Sequence, residues 1–309
     1  MERVILGRTG LSVSVMGLGG GGDSRLGVKT DGAASIRLIR TALDHGVNFI
    51  DTAEAYGTEE VVGKGIHGVD RSQVVLSTKK TTTNGSRPIE ASDVIAGLEA
   101  SLTRLGTDYV DVYHLHGVTA EEYPALRDRV LPTLTKLREQ GKIRFLGITE
   151  KFVADPGHRM LSLALEDEPW DVVMVGFNVL NQSARERVFP RTLARGVGTL
   201  IMFAVRRALS RPERLAELLG DLEQRGKISA EAARVGLEFL VHAGGGLSVP
   251  DAAYRYCRYE PGAHVVLVGT SNPAHLLQNI ESLARPALPS ADRARLTELF
   301  GAVDDVSGH

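Results

Sequence analysis

The sequence predicts an α/β chain closed into a (β/α)8 barrel of the TIM type, on three observations. Eight short runs rich in β-branched and aliphatic residues recur along the 309 residues. Most are continuous apolar runs rather than alternating ones, as strands read when a parallel sheet buries both faces. Amphipathic segments lie between them, and the strand-to-strand interval is ~25–35 residues, the size of a βαβ unit. Eight such units fill one barrel, and a barrel of this length often forms one domain. No linker or low-complexity tract interrupts the chain, so residues 1–309 are expected to form a single domain.

The elements follow in order. Residues 4–6 and 11–15, joined by Gly7-Arg8-Thr9-Gly10, read as a β-hairpin ahead of the barrel. Barrel strands are expected at 13–18, 48–51, 74–78, 110–115, 145–148, 172–175, 199–203 and 265–268. One helical stripe runs through Ile36, Ile39 and Leu43, with Asp31 as the N-cap of its helix, and a second through Val94, Leu98, Leu102 and Leu105. A third, Leu131, Leu134 and Leu137, is closed by Gly141. Extra helices are expected at about 211–225 and 229–241, before the helix that precedes the last strand. A final helix at about 290–301 leaves 302–309 as a tail, short enough to leave a ligand pocket open.

Composition narrows the function. Lys and Arg total 36 against 38 Asp and Glu, 43% of residues are hydrophobic and 24% charged. A disordered or collagen-like chain is excluded, and a net charge of -2 argues against a nucleic-acid partner. The single cysteine, Cys257, has no partner for an internal disulfide, which points to a reducing compartment and a cytoplasmic location. The apolar run at the N-terminus is too short for a secretory signal, and no segment approaches the ~18 apolar residues of a membrane span. The expected partner is a small molecule; the oligomeric state is open.

One motif points two ways. Gly17-Leu18-Gly19-Gly20-Gly21-Gly22 satisfies G-x-G-x-x-G after a strand, and Asp51 supplies the acid a dinucleotide fold would want. Yet residues 23–30 separate the motif from the next helix, and Asp51 lies 34 residues past Gly17, beyond the usual ~20. The preferred reading is a flexible loop at the end of the first barrel strand, where Gly19 and Gly20 let a ligand approach the backbone.

Barrel enzymes carry their reacting groups at the C-terminal ends of strands. The second strand ends in Asp51, with Tyr56 five residues on; the third ends in Thr78-Lys79-Lys80; the fourth ends in His114-Leu115-His116. Neighbouring strands lie ~4.8 Å apart, so an acid, a phenol, a lysine and an imidazole can converge. A tyrosine with its ordinary pKa of ~10 is a poor proton donor at neutral pH. A nearby ammonium lowers it, and a carboxylate holds the ammonium in place. A neutral imidazole can orient a carbonyl oxygen. The set suits protonation of that oxygen as a hydride reaches carbon, with the hydride supplied by a cofactor. For each residue taken alone, packing, capping or solvation is an equal explanation.

On these residues the chain resembles the aldo-keto reductase superfamily along nearly its whole length. The resembling stretches are Leu6-Gly7-Arg8-Thr9-Gly10-Leu11, residues 48–57, 75–79 and 101–116, and Gly141-Lys142-Ile143-Arg144. The resemblance implies a barrel using NADP(H), less often NAD(H). Tyr56 would be the general acid, Lys79 its partner, Asp51 the carboxylate on the lysine and His116 the carbonyl-orienting residue. It further implies that Thr149 and Glu150 stand where a Ser-Asn pair holds the nicotinamide carboxamide, and Met174 where a Gln would help. Asn178 matches a frequent Asn, and Phe203 a nicotinamide-stacking aromatic. Gly269, Thr270, Ser271, His275 and Asn279 match the loop and helix that hold the adenosine end. Gly269 and His275 replace the basic residues of a 2′-phosphate clamp, so NAD(H) stays possible while NADP(H) is favoured. Arg206 and Arg207 are candidate holders of the pyrophosphate, a 2′-phosphate or a substrate carboxylate.

The expected activity is interconversion of a carbonyl (aldehyde, ketone or sugar) and an alcohol, with Tyr56 as proton donor or acceptor. Alternatives are an NAD-linked sugar or alcohol dehydrogenase, a cofactor-binding regulatory protein with vestigial catalysis, and a metal-dependent hydrolase using His114, His116 and Asp51. No metal is expected, because Lys79 in the same cluster repels a cation.

Overall fold

The structure is a computed structural model that describes residues 1–28 and 31–309. An antiparallel ribbon, β1 (Arg3–Ile5) and β2 (Ser12–Ser14), precedes the barrel, paired Arg3 to Ser14 through Ile5 to Ser12. Eight parallel strands then close on themselves in chain order. They are β3 (Met16–Gly19), β4 (Phe49–Asp51), β5 (Val75–Thr81), β6 (Val110–Val118), β7 (Ile143–Glu150), β8 (Val172–Gly176), β9 (Gly198–Met202) and β10 (Val265–Val268). The last strand pairs with the first, Val268 beside Leu18, which leaves no edge. This is the (β/α)8 barrel that the alternation of runs predicts.

The expected first barrel strand, 13–18, is in fact two elements. Ser14 serves the ribbon and Met16 the barrel, because the Asn48 side chain accepts from the Ser14 amide (2.6 Å) and turns the chain between them. The helices match their stripes: Gly32–Asp44 is capped by Asp31, whose carboxylate accepts from Ala34 (2.9 Å). Ala91–Leu105 buries Val94, Leu98, Leu102 and Leu105. Between β9 and β10 stand Pro212–Gln224 and a shorter helix, Ala230–Val235, which Gly236 ends at φ 57° before the expected 241. Val249–Arg258 then leads into β10.

The ribbon seals the floor. Leu6, Leu11 and Val13 join Phe49, Val75, Val112, Val172, Leu200 and Val265 in one buried cluster. Gly198 makes room for it, since a Cβ there would lie 2.7 Å from Leu6 Cγ. Arg8 pins it from below, donating to the Trp170 carbonyl (3.1 Å) and pairing with Asp171 (3.3 Å). Only the opposite, C-terminal mouth is left for chemistry. No helix among the described residues is long and apolar enough to cross a membrane.

Candidate active site at the barrel mouth

Strand alternation sets the site. On β5 Lys79 points into the barrel and is fully buried, while Lys80 points outward, paired with Glu54 (2.9 Å) and lying against Gly97. The two lysines are therefore not a solvated surface pair. The Lys79 ammonium donates to Asp51 Oδ2 and to the Thr52 carbonyl, both at 2.6 Å. Ser77, the register partner of Asp51, donates to the other carboxylate oxygen (2.7 Å). Burial pushes the Asp51 carboxyl above the usual range, and Lys79 and Ser77 pull it back.

Tyr56 closes a short 3-10 turn, Glu54–Tyr56, that Gly57 ends at φ 71°. Its hydroxyl lies 3.2 Å from His116 Nε2, the two rings meet edge-on, and Lys79 Nζ stands 5.0 Å from the centre of its ring. The four sequence-predicted catalytic residues thus meet at one point. Burial raises the Tyr56 pKa, and it outweighs the pull of Lys79. Burial first, and then the Lys79 charge, push His116 down to about 3, so its ring is neutral at pH 7. His114 lies one layer below, fully buried against Gly147. Among the described residues no three His, Cys, Asp or Glu side chains gather as metal ligands.

Beside the tetrad opens a cavity of about 300 Å³, bordered by Gly19, Gly21, Gly22, Gly269, Met174, Met202 and Phe203 together with Asp51 and Tyr56. The glycine loop is packed rather than loose: the Gly20 amide donates to the Asp51 carbonyl (2.7 Å), and Gly21 rests on Tyr56. Phe203 falls one residue past β9, with φ 66°, in the left-handed region that disfavours a side chain. Asn178 Nδ2 holds its carbonyl there (3.3 Å). Arg206 and Arg207 both border the cavity, and Arg207 is paired with Asp23 at 2.9 and 3.0 Å across the opening.

Other residues named from the sequence are placed elsewhere. Both carboxylate oxygens of Glu150 accept from His158 Nδ1 (3.0 and 2.9 Å), and one also accepts from the Gly176 amide (2.8 Å). Glu150 is thus buried in a pair with His158, which stacks on Phe152, rather than aimed at a carboxamide. Thr149 Oγ1 accepts from the Gly117 amide (2.7 Å). Asn178 is buried and serves the chain itself: Nδ2 donates to the Phe203 and Ser307 carbonyls, and Oδ1 accepts from the Leu180 and Asn181 amides. Thr270 Oγ1 accepts from the Asn272 amide (3.0 Å). Ser271 and His275 are exposed beside the start of the helix Pro273–Ala284, and Asn279 is half-buried farther along it.

The tail is tied to the barrel. It runs along the rim of the mouth and is not part of the lining of the cavity beside the tetrad. Asn181 Nδ2 donates to the Val306 carbonyl (2.8 Å), the Ala208 amide donates to Gly308, and His309 reaches Arg206 (2.8 Å). Asp23, Ser77, His158 and His309 also serve the site and go beyond the residues named from the sequence. Only Asp23 carried a signal, standing directly after the glycine motif.

Fold and mouth together define a barrel enzyme acting on small molecules. A profile of the Aldo/keto reductase family matches residues 15–300. The chain belongs to that family, whose members are oxidoreductases that interconvert carbonyls and alcohols with nicotinamide cofactors. It is 30% identical over 301 residues to aldo-keto reductase YhdN of Bacillus subtilis (strain 168), covering 89% of this chain and 87% of the relative. Over 159 residues, 48% of each chain, it is 36% identical to L-galactose dehydrogenase of Arabidopsis thaliana. The solved structure of aldo-keto reductase AKR11C1 from Bacillus halodurans in its holo form superposes with a TM-score of 0.76 at 22% identity, covering 98% of this chain and 97% of that one, a likeness of fold.

Proposed function

We propose that this chain is an NAD(P)(H)-dependent carbonyl reductase in which Tyr56 gives its proton to the carbonyl oxygen of an aldehyde, ketone or sugar. One observation carries the reading: a fully buried ammonium, fixed at 2.6 Å by both Asp51 and the Thr52 carbonyl, lies 5.0 Å from the ring of the one phenol that also touches a neutral imidazole. A reduced nicotinamide, when bound, supplies the hydride. The residues present suit such a group. The glycine loop and Gly269 border the cavity, and Gly269 leads into the helix Pro273–Ala284, whose N-terminal end favours an anion. Phe203, Arg206, Arg207, Gly19, Gly20, Gly269, Thr270, Ser271, His275 and Asn279 would hold it. Thr149 keeps a hydroxyl near the carboxamide end, and Glu150 and Asn178 would act there only through the backbone they fix.

His116, held neutral, orients the carbonyl oxygen, and Tyr56 releases its O–H proton to it. Lys79 stabilises the phenolate that remains, and Asp51 keeps Lys79 in place. Met174, Met202 and Phe203 limit water at the reacting carbon.

NADP(H) is favoured because it prevails in the superfamily, while the lack of a lysine–arginine clamp at Gly269 and His275 keeps NAD(H) open. The likeness of half the chain to an L-galactose dehydrogenase supports a second reading, oxidation of a sugar with Tyr56 as base. The test is a fluorescence titration with NADPH and with NADH, followed by turnover of an aldehyde by the wild type and Tyr56→Phe. Binding of one nucleotide, with turnover lost in the variant by about 10²-fold or more, is expected. Binding of neither would overturn the reading.

A further inference from the structure

Two adjacent lysines hold the segment that carries Tyr56, one from each face of β5. Lys79, inside the barrel, takes the start of that segment, the Asp51 carboxylate and the Thr52 carbonyl, both at 2.6 Å. Lys80, outside it, takes Glu54, the first residue of the turn Glu54–Tyr56, at 2.9 and 3.0 Å to the two carboxylate oxygens. The end of the strand adds to the outer grip. Glu54 Oε1 also accepts from the Thr81 amide (2.9 Å) and from the Thr81 hydroxyl (2.7 Å). The carboxylate two residues before the phenol is thus fastened to the end of β5 by both Lys80 and Thr81.

The outer grip is a built one. Relative side-chain exposure is 11% for Lys80 and 17% for Glu54. The helix Ala91–Leu105 gives up a side chain to admit the lysine stem, since a Cβ at Gly97 would lie 2.7 Å from Lys80 Cδ. Burial opposes ionisation of Glu54, yet the bonds from Thr81 and Lys80 win and hold its carboxyl below the usual range. Neither Glu54 nor Lys80 borders the cavity, so any effect on chemistry passes through the turn. The turn has little of its own to fix it. It is three residues long, and Ala53 before it offers no capping side chain. One short 3-10 turn does not hold its place unaided, because too few hydrogen bonds offset the order it needs.

We propose that Glu54 and Lys80 are positioning residues for proton transfer, which hold the turn so that the Tyr56 hydroxyl stays within reach of His116 and of the carbonyl oxygen. This rests on the carbonyl-reductase reading and extends its machinery to the outer face of the barrel wall. Lys79 acts on the charge of the phenol and Lys80 on its place.

The experiment follows reduction of 4-nitrobenzaldehyde in single turnovers, so that product release does not mask the chemical step. Wild type, Glu54→Ala, Glu54→Gln, Lys80→Met and Lys80→Arg are compared, with steady-state KM and affinities for NADPH and NADH alongside. Glu54→Ala should slow the single turnover by about 30-fold and enlarge its solvent deuterium isotope effect, with KM within about threefold and nucleotide affinity within about twofold. Glu54→Gln keeps an acceptor for Thr81 and Lys80 and should return to within about fivefold of wild type. Lys80→Met should lose about tenfold, and Lys80→Arg should recover part of that. A Glu54→Ala variant that turns over within about threefold of wild type overturns the proposal and leaves the reductase reading standing. So does a general loosening, in which rate, KM and nucleotide affinity worsen together and the isotope effect is unchanged. Should Glu54→Ala fail to fold, Lys80→Met decides, since it keeps both bonds from Thr81; a rate within about threefold of wild type overturns the proposal. Failure of the wild type to bind a nucleotide or reduce any aldehyde overturns both readings.

Discussion

The backbone of Gly21 is packed against the phenol of Tyr56: a Cβ at residue 21 would fall 2.7 Å from both Cε2 and Cζ of the ring. Contact that close cannot be kept, so either the glycine loop or the ring must move. Gly21→Ala should lower kcat by about 10²-fold, the usual cost of a displacement near 1 Å at a reacting group. Steady-state kinetics on the purified variant give the answer, and wild-type turnover would show that the loop yields and Tyr56 does not.

The Asp51–Lys79 pair predicts a separation of stability from rate. Removing one partner of a buried pair costs ~3–5 kcal/mol, because the other charge is left without compensation. Asp51→Asn and Lys79→Met should each destabilise by about that much in urea titrations. The double variant should recover most of the stability and none of the turnover. A double variant as unstable as the sum of the singles would mean that the two residues do not act as a pair.

Tyr56 fixes the pH profile. Its pKa is raised by burial, so the phenol stays protonated through neutral and mildly alkaline pH. Reduction needs the protonated form and should be flat in kcat/KM from about pH 6 to 9. Oxidation needs the phenolate and should rise steadily over the same span. A fall in the reduction rate centred near pH 8 would place a different proton donor at the site.

His114 predicts a slope in stability. Burial, and next the Lys79 charge, hold its pKa well below 6.5 in the folded chain. Below about pH 6.5 the unfolded chain binds a proton that the folded chain refuses, so stability is lost as pH falls, by ~1.4 kcal/mol per pH unit for this one group. His114→Met removes that linkage. The stability of the variant relative to wild type should rise as pH drops from 7 toward 5, measured as paired denaturation midpoints. A difference that does not change with pH would refute the buried neutral state.

Arg207 and Asp23 join loops 184 residues apart, and both are well exposed. An exposed pair of this kind adds ~0–1 kcal/mol to stability. Asp23→Ala should leave the thermal midpoint nearly unchanged and speed nucleotide release by several-fold in stopped-flow displacement. An unchanged release rate would show that the pair does not span the bound cofactor.

The barrel was legible because periodicity survives without tertiary context. The continuous run at Val172–Gly176 and the stripe Val94, Leu98, Leu102, Leu105 report which faces are buried. The tetrad was legible because strand ends fix where side chains go: Asp51 and Lys79 belong to neighbouring strands whose order follows from the chain. What resisted reading depends on partners distant in sequence. Nothing near Asn178 says that it binds Ser307, 129 residues on. Glu150 is seen to be committed only once His158 folds over it with φ 61°, a backbone state its sequence does not announce. The path of the tail is hidden in the same way, since its carbonyls are taken by Asn181 and by the Ala208 amide, both far back in the chain.

The floor of the barrel has a consequence for how the protein is made. Leu6, Leu11 and Val13 are synthesised before every barrel strand, yet the surface they cover is completed only by Val265, on the last of them. Throughout synthesis these side chains have no barrel to rest on, and translation at ~5–20 residues per second keeps them waiting for tens of seconds. Closing of the barrel by β10 is therefore the step that takes these side chains out of water.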